Sequence, residues 1–386
     1  MTRPRLCRIV TVPMTFETLL REQIACVAAA GFELTLVCSP GDSMAALATR
    51  SGAAYEAVPM ARQLSPTHDA RSLAALVRLF RRARFDLVHS STPKAGLLTA
   101  LAARLAGVPL RLHTFTGQPW VELTGAMRVA ARQADRTIAR LDTHLYADSH
   151  SQREFLVAEG IARADRLAVI GAGSISGVDL RRFDPAALSE ARSQVRARLG
   201  IAATARVVVF VGRLTRDKGA RELVEAFTSV AATRPDVHLL LVGPLEPERD
   251  PLPGTTLAAI EANPRIHAVG FSAEPERYLA ASDLFCLPSY REGFGSVAIE
   301  AGALGLPVVA TRVTGLIDAV VEGETGCLVP AKNAPALAGA LADLLDDAAA
   351  RRRLGAAGLR RARERFDAVA VNSAVAREYA RLLEGR

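Results

Sequence analysis

The side chains best suited to chemistry fall in two segments. In Phe210-Val211-Gly212-Arg213-Leu214-Thr215-Arg216-Asp217-Lys218-Gly219, a β-branched run ends on a glycine and is followed by two cations five residues apart, Arg213 and Lys218. Arg213 can grip a diphosphate through its forked guanidinium, and Lys218 can add a mobile point charge. The same residues would also suit a solvated turn. The second segment, Leu287 to Thr311, reads as a strand, a loop punctuated by Gly293 and Gly295, a helix, and a strand led by Pro307. Its glycines let the backbone approach a ligand, and free N–H groups at the helix N-terminus suit a phosphate near Gly295, Ser296 and Val297. Glu292 falls in the loop and Glu300 about two turns into the helix, so the two carboxylates can address different parts of one extended ligand; paired sugar hydroxyls are natural partners. Alternatively Glu292 caps the helix and Glu300 is a solvated or interface charge.

The elements that must position these residues follow from the pattern around them. Short β-branched runs (Cys7 to Val12, Glu33 to Cys38, Asp86 to Ser91, Leu110 to Thr116, His144 to Asp148) alternate with helical spacing over Phe16 to Ala30, Arg71 to Arg84 and Pro93 to Ala106. A second set follows the charged helix Ala187 to Leu199: Val207 to Val211, His238 to Val242, Arg265 to Val269, Asp283 to Leu287, Val308 to Thr311 and Cys327 to Val329. This alternation predicts an α/β protein with two Rossmann-like, doubly wound parallel sheets in tandem. The small-residue segment Gly171 to Asp179 marks the boundary. The expected spans are 1–178, 179–365 and a C-terminal helix, 366–386, crossing back to the first domain. Ligands sit at the carboxyl ends of strands in such sheets, so a cleft between the two domains is the expected site.

Composition narrows the class. A chain of 386 residues fits two moderate domains, and 50% apolar with 23% charged residues describes globular packing. Cys7, Cys26, Cys38, Cys286 and Cys327 are widely spaced and mostly within apolar runs, which reads as buried small hydrophobes in a reducing compartment. The basic N-terminus leads straight into a first strand and does not read as a signal peptide. The most apolar helical stretch, Ala95 to Ala106, contains Arg104 and falls short of the ~20 residues needed to span a bilayer. A net charge of +8 implies an anionic partner.

Taken together, the two segments resemble the family-4 glycosyltransferases, retaining enzymes of the GT-B fold. The matching residues are Gly212, Arg213, Leu214, Lys218 and Gly219, then Glu292, Gly293, Phe294, Gly295 and Glu300 in an E-x7-E pattern. Asp318 and the run Glu322 to Pro330 match as well. The resemblance implies that Arg213 and Lys218 hold the donor diphosphate, that Glu292 contacts the donor sugar and that Glu300 binds the ribose hydroxyls. Gly243 and Phe271 would flank the base. It implies no cofactor and no metal.

The N-terminal half is similar to family members acting in surface-polysaccharide assembly, through His89 to Gly96 and His113 to Trp120. Many relatives carry a histidine on the donor sugar where this chain has Thr116. Thr116 cannot serve as a base at neutral pH, so it hydrogen-bonds the sugar or His113 reaches in; a histidine ending a strand is also often structural. Thr15 and Phe16 are acceptor-side candidates, although Thr15 would equally suit a helix N-cap. Arg128, Arg132, Arg136 and Arg140 recur every four residues. Such a stripe either rests on anionic lipid, at ~1 kcal/mol per cation, or is a solvated face; Arg78, Arg81, Arg82 and Arg84 favour the membrane.

The expected partners are a UDP- or GDP-sugar, a lipid-linked or glycan acceptor and an anionic membrane surface, with the protein cytoplasmic and peripheral on the inner face of the plasma membrane. Three other readings are weaker. A nucleotide-sugar epimerase would need acid–base carboxylates around the sugar, for which the resemblance gives no support. A non-enzymatic nucleotide binder does not explain why Arg213, Lys218, Glu292 and Glu300 are all present, and a nucleic-acid protein would show aromatic platforms among its basic residues. A nicotinamide dehydrogenase would need a Gly-x-Gly-x-x-Gly turn after the first strand, where Val12-Pro13-Met14-Thr15-Phe16 stands.

Overall fold

The computed structural model describes residues 3–61, 65–248 and 250–385. The chain divides into two compact units, residues 1–177 with 368–386, and residues 178–367. The first crossing thus lies one residue before the expected boundary and the second two residues after it.

Unit 1 holds strands β1 (Arg5–Ile9), β2 (Glu33–Cys38), β3 (Ala54–Ala57), β4 (Leu87–Ser91), β5 (Leu110–Phe115), β6 (His144–Ala147) and β7 (Leu167–Ala168). Its helices are α1 (Arg21–Ala29), α2 (Met44–Arg50), α3 (Pro66–Ala83), α4 (Pro93–Ala106), α5 (Gly125–Leu141) and α6 (His150–Ala158). The strands form one parallel sheet in the order β3-β2-β1-β4-β5-β6-β7. Successive residues point to opposite faces, so Leu34 and Leu36 pack with Phe16 and Leu20 on one side while Val37 joins Cys7, Ile9 and Phe80 on the other. A buried polar network runs through the sheet centre: Arg8 donates from Nε to Gln23 Oε1 at 3.1 Å, and Gln23 Nε2 donates to the Ile175 carbonyl at 2.8 Å.

Unit 2 contains α7 (Ala191–Arg198), β8 (Arg206–Val211), α8 (Ala220–Thr233), β9 (Val237–Val242), α9 (Gly254–Ala262), β10 (Ile266–Gly270), α10 (Pro275–Ala280) and β11 (Leu284–Leu287). It continues through α11 (Ser296–Ala303), β12 (Val308–Thr311), α12 (Leu316–Ala319), β13 (Gly326–Val329), α13 (Ala334–Asp346) and α14 (Ala348–Arg365). The sheet is again parallel, in the order β10-β9-β8-β11-β12-β13. The order reverses between β8 and β11, the switch point at which open α/β sheets place ligands. The loops leaving those two strands are the two segments singled out in the sequence. The last helix, α15 (Ala368–Glu384), belongs to unit 1 and packs on α1.

No helix of the described residues is long and apolar enough to cross a membrane. Cys7, Cys38 and Cys286 are buried, Cys26 and Cys327 partly so, and all five are free thiols.

Candidate functional site in unit 2

The loops leaving β8 and β9 touch backbone to backbone. A Cβ on Gly243 would stand 1.9 Å from the Gly212 carbonyl oxygen, so a side chain there would push the loops apart. Leu214 N donates to the Pro244 carbonyl at 2.8 Å, and Gly243 N donates to the Gly270 carbonyl at 2.8 Å. Gly212, Gly243 and Phe271 thereby line up at the carboxyl ends of three adjacent strands, and Phe271 is 60% exposed, free to offer its ring to a planar ligand.

Charge then stitches this loop pair to the loop leaving β11. Lys218 Nζ donates to Glu292 Oε1 at 2.5 Å, and Ser289 Oγ donates to the same oxygen at 2.7 Å. Asp217 Oδ2 accepts from Arg291 at 2.9 Å, and Tyr290 N donates to the Asp217 carbonyl at 2.8 Å. Burial by itself would raise the Asp217 carboxyl; the Thr215 hydroxyl and the cations of Lys218, Arg291 and Arg213 outweigh it and hold the group below its ordinary range. Arg213 donates from Nη1 to Glu246 Oε2 at 2.7 Å and lies 3.8 Å from Asp217. Asp250 fixes the middle of the loop, accepting from Arg216 Nε and from Asp217 N, each at 2.9 Å. Arg213 and Lys218 are therefore aimed by carboxylates, and both remain partly exposed.

Helix α11 begins immediately after Gly295, whose φ of 89° is left-handed. A Cβ at Gly295 would lie 2.5 Å from Leu316 Cδ2. Ser296 and Val297 supply the first N–H groups of the helix and are half-buried. Glu300 lies one turn further along. Burial pushes its carboxyl up to about 7, Arg182 opposes that and Glu276 adds to it. Arg182 is itself committed to Glu276 Oε2 at 2.7 Å and to the Ala273 carbonyl at 2.6 Å, so among the described residues Glu300 has no strong cationic partner of its own.

Three expected site residues turn inward instead. Phe294 is buried and packs its ring against Phe366 at 5.1 Å, so only its backbone can border the site. Phe16 is fully buried in the core of unit 1 and cannot contact an acceptor, because the chain after Pro13 coils into one turn of π-helix, Thr15–Leu19, that drives the ring inward. Thr15 opens that turn but caps no helix with its side chain. His113 is buried, with Nδ1 2.8 Å from Ser90 Oγ and its ring edge-on to Phe115. Burial, and secondarily Arg8, lowers it to about 3, so it is a neutral core side chain. Thr116, half-buried beyond the end of β5, is left at the surface of that loop.

The arginine stripe on α5 is also divided. Arg132 sits over the Trp120 ring at 5.3 Å and pairs with Glu159 at 2.9 Å, whereas Arg128 and Arg140 are exposed. On α3, Arg82 pairs with Glu56 at 2.6 Å and Arg81 donates to the Leu105 carbonyl at 3.4 Å.

Comparison with known proteins decides the family. Residues 191–361 match the model described as Glycosyl transferases group 1, and residues 16–173 match that of the Glycosyl transferase 4-like domain. The D-inositol 3-phosphate glycosyltransferase of Corynebacterium glutamicum is 31% identical over 322 residues, 79% of this chain and 75% of that protein. The chain belongs to the group 1 glycosyltransferases. This glycosyltransferase is also 29% identical to the capsular polysaccharide biosynthesis glycosyltransferase CapM of Staphylococcus aureus, over 95% of this chain and 94% of that one. With the Escherichia coli UDP-Gal:alpha-D-GlcNAc-diphosphoundecaprenol alpha-1,3-galactosyltransferase it shares 27% identity over 86% and 83% of the two chains. Anabaena HepE, solved with UDP-glucose, superposes with a TM-score of 0.78 at 22% identity, covering 97% and 99% of the two chains. The fold is GT-B.

Reading the sequence missed Glu246, Asp250 and Ser289, which hydrogen-bond Arg213, Arg216 and Glu292 respectively. Acidic residues in a loop after a strand, such as those in Glu246-Pro247-Glu248-Arg249-Asp250, were the available signal, but their partners lie about 30 residues away in the chain and on a neighbouring strand.

Proposed function

We propose that this glycosyltransferase moves a sugar, with retention and without a metal, from a UDP- or GDP-sugar to a hydroxyl of a lipid-linked or saccharide acceptor in surface-polysaccharide assembly. It would work in the cytoplasm at the inner face of the plasma membrane. The observation that carries the reading is the junction of the two loops at the β8/β11 switch point, where Lys218 reaches Glu292 and Arg213 stands on the same loop as Lys218. The names of CapM and of the Escherichia coli galactosyltransferase support the pathway and the acceptor class, and the UDP-glucose held by HepE supports a nucleotide-sugar donor.

In this reading the acceptor hydroxyl attacks the anomeric carbon from the face that the nucleotide diphosphate leaves. Arg213, Lys218 and the N–H groups at Ser296 and Val297 stabilise the charge growing on that diphosphate, and the departing phosphate takes the nucleophile's proton. Glu292 must exchange Lys218 for the sugar hydroxyls as the donor seats. Ionised Glu300 would accept from the ribose hydroxyls, with Gly243 and Phe271 beside the base and Thr116 on the sugar side.

A panel of UDP- and GDP-sugars, with chelator present, tests this by calorimetry and by transfer into a membrane lipid extract. One nucleotide binding tightly, with chelator-resistant transfer lost in Glu292→Ala, is the expected result; no nucleotide binding in unit 2 overturns it.

The Glu300 shift adds a pH signature. A carboxyl raised to about 7 is increasingly neutral below that pH and then accepts hydroxyl hydrogen bonds poorly. Donor affinity is expected to fall about tenfold between pH 8 and pH 6, with the slope abolished in Glu300→Gln. The same shift works against folding: a carboxyl whose pKa is raised in the folded state costs stability as pH rises from its unfolded value towards 7. A flat profile of nucleotide affinity against pH in the wild type would remove Glu300 from the ribose.

A further inference from the structure

Unit 1 carries a concavity that the transferase reading does not use. The C-terminal half of α5, Leu101 of α4, Leu145 of β6 and the residues leading into β7 enclose a groove of about 820 Å³. It lies at the amino ends of β6 and β7, the opposite end of the sheet from Thr116. Four guanidiniums line it, those of Arg136, Arg140, Arg163 and Arg166, and no carboxylate does. Its floor is apolar, with Leu101, Ala139, Leu145 and Ile161. Leu105, one turn beyond Leu101 on the same helix face, extends that apolar surface and is 59% exposed.

Three of the four arginines have no ion pair among the described residues. Arg136 donates from Nε to the Gly160 carbonyl at 3.1 Å, and Arg166 donates to the carbonyls of Ala139 at 3.0 Å and Asp142 at 2.6 Å. Neither Asp142 carboxyl oxygen has a hydrogen-bond partner among the described residues, and burial pushes that group up to about 8, which leaves it largely uncharged beside Arg166. Arg163 is paired with Asp165 at 2.8 Å, whereas Arg140 has no such pairing among the described residues. The guanidiniums of Arg136, Arg140 and Arg166, uncompensated over an apolar floor, are complementary to an anion that carries an apolar body, and Arg163 stands beside them with its charge shared with Asp165.

We propose that this groove binds an anionic membrane phospholipid, the phosphate among Arg136, Arg140, Arg163 and Arg166 and the start of the acyl chains along Leu101 and Leu105. The inference rests on the peripheral-membrane part of the function proposed above and supplies it with a discrete site in place of a diffuse basic face. Nucleic acid fits less well, since no lining residue is aromatic. A free inorganic anion would leave the apolar floor unused.

Flotation of the full chain with phosphatidylglycerol-containing vesicles, against pure phosphatidylcholine vesicles, tests the site. Arg140→Glu/Arg163→Glu is expected to lose more than tenfold in affinity for the anionic vesicles, while Arg50→Glu/Arg71→Glu, an equal charge change at exposed positions of α2 and α3, keeps most of it. Circular dichroism of each variant establishes that it is folded. Equal loss in both variants, or no loss in the groove variant, overturns the groove while leaving membrane association standing; no binding of the wild type to anionic vesicles overturns both. Calorimetry with inorganic phosphate closes the remaining route: saturation of the groove by phosphate alone, in competition with vesicles at similar affinity, would assign it to a soluble anion instead.

Discussion

Arg213→Ala is expected to lower kcat for sugar transfer by about 10²–10³-fold, the range seen when one fixed donor to a developing anion is removed. Arg213 is positioned before the donor arrives, because Glu246 holds its Nη1 at 2.7 Å and Asp217 stands 3.8 Å away. In the proposed mechanism its reorganisation on binding is thus small and its contribution grows with the charge on the leaving diphosphate, so the loss should fall mainly on kcat and only secondarily on KM. Arg213→Lys should recover little of it, since an ammonium cannot reproduce a two-pronged grip. Stability should move by no more than about 1 kcal/mol, since the pair is partly exposed. Steady-state kinetics with the identified donor decides the matter: a change confined to KM would make Arg213 a binding residue and transfer the catalytic charge to Lys218 and the N-terminus of α11.

A second large effect lies away from the site. Asp283→Ala is expected to destabilise unit 2 by about 3–5 kcal/mol, the cost of leaving a buried cation without its countercharge. Asp283 Oδ2 accepts from Arg196 Nη2 and from Val207 N, each at 2.8 Å, and Oδ1 accepts from Arg192 at 2.8 Å. The Arg196 side chain is only 4% exposed and also donates to the carbonyls of Ala281, Ala202, Ala203 and Ala205. One carboxylate thus ties α7 to the start of β8 and to the strand beside it, β11. Removing both charges should cost less than removing one, so Arg196→Met/Asp283→Leu is expected to recover part of the loss. Urea unfolding of the full chain reads both. A loss below about 1 kcal/mol in Asp283→Ala would mean that water replaces the carboxylate and that the knot is not a stability determinant.

Much of the molecule was legible in the residues. Strands with short, mainly apolar runs, such as Val308–Thr311 and Glu33–Cys38, were readable to the residue, because their pattern is local. Strand β3, Ala54-Tyr55-Glu56-Ala57, was missed: it lies at the sheet edge, half exposed, with no apolar run to mark it. The two-residue β7 is too short to leave a pattern.

The sequence by itself determined the two parallel sheets and the glycine-punctuated loops after β8 and β11, and it singled out Arg213, Lys218, Glu292 and Glu300 as candidates. These are signals of spacing and residue type, and both act over a few neighbouring residues. Tertiary structure alone decided which side chains face the site. Phe16, His113 and Phe294 sit beside other candidate positions in the chain, yet the local backbone sends each into a core. Glu246 and Asp250 carry no motif of their own, yet the order β10-β9-β8-β11 brings their loop against Arg213 and Arg216. Local periodicity determines what a segment becomes; the winding of the sheet determines what it meets, and a carboxylate can aim a cation only where that winding has placed it.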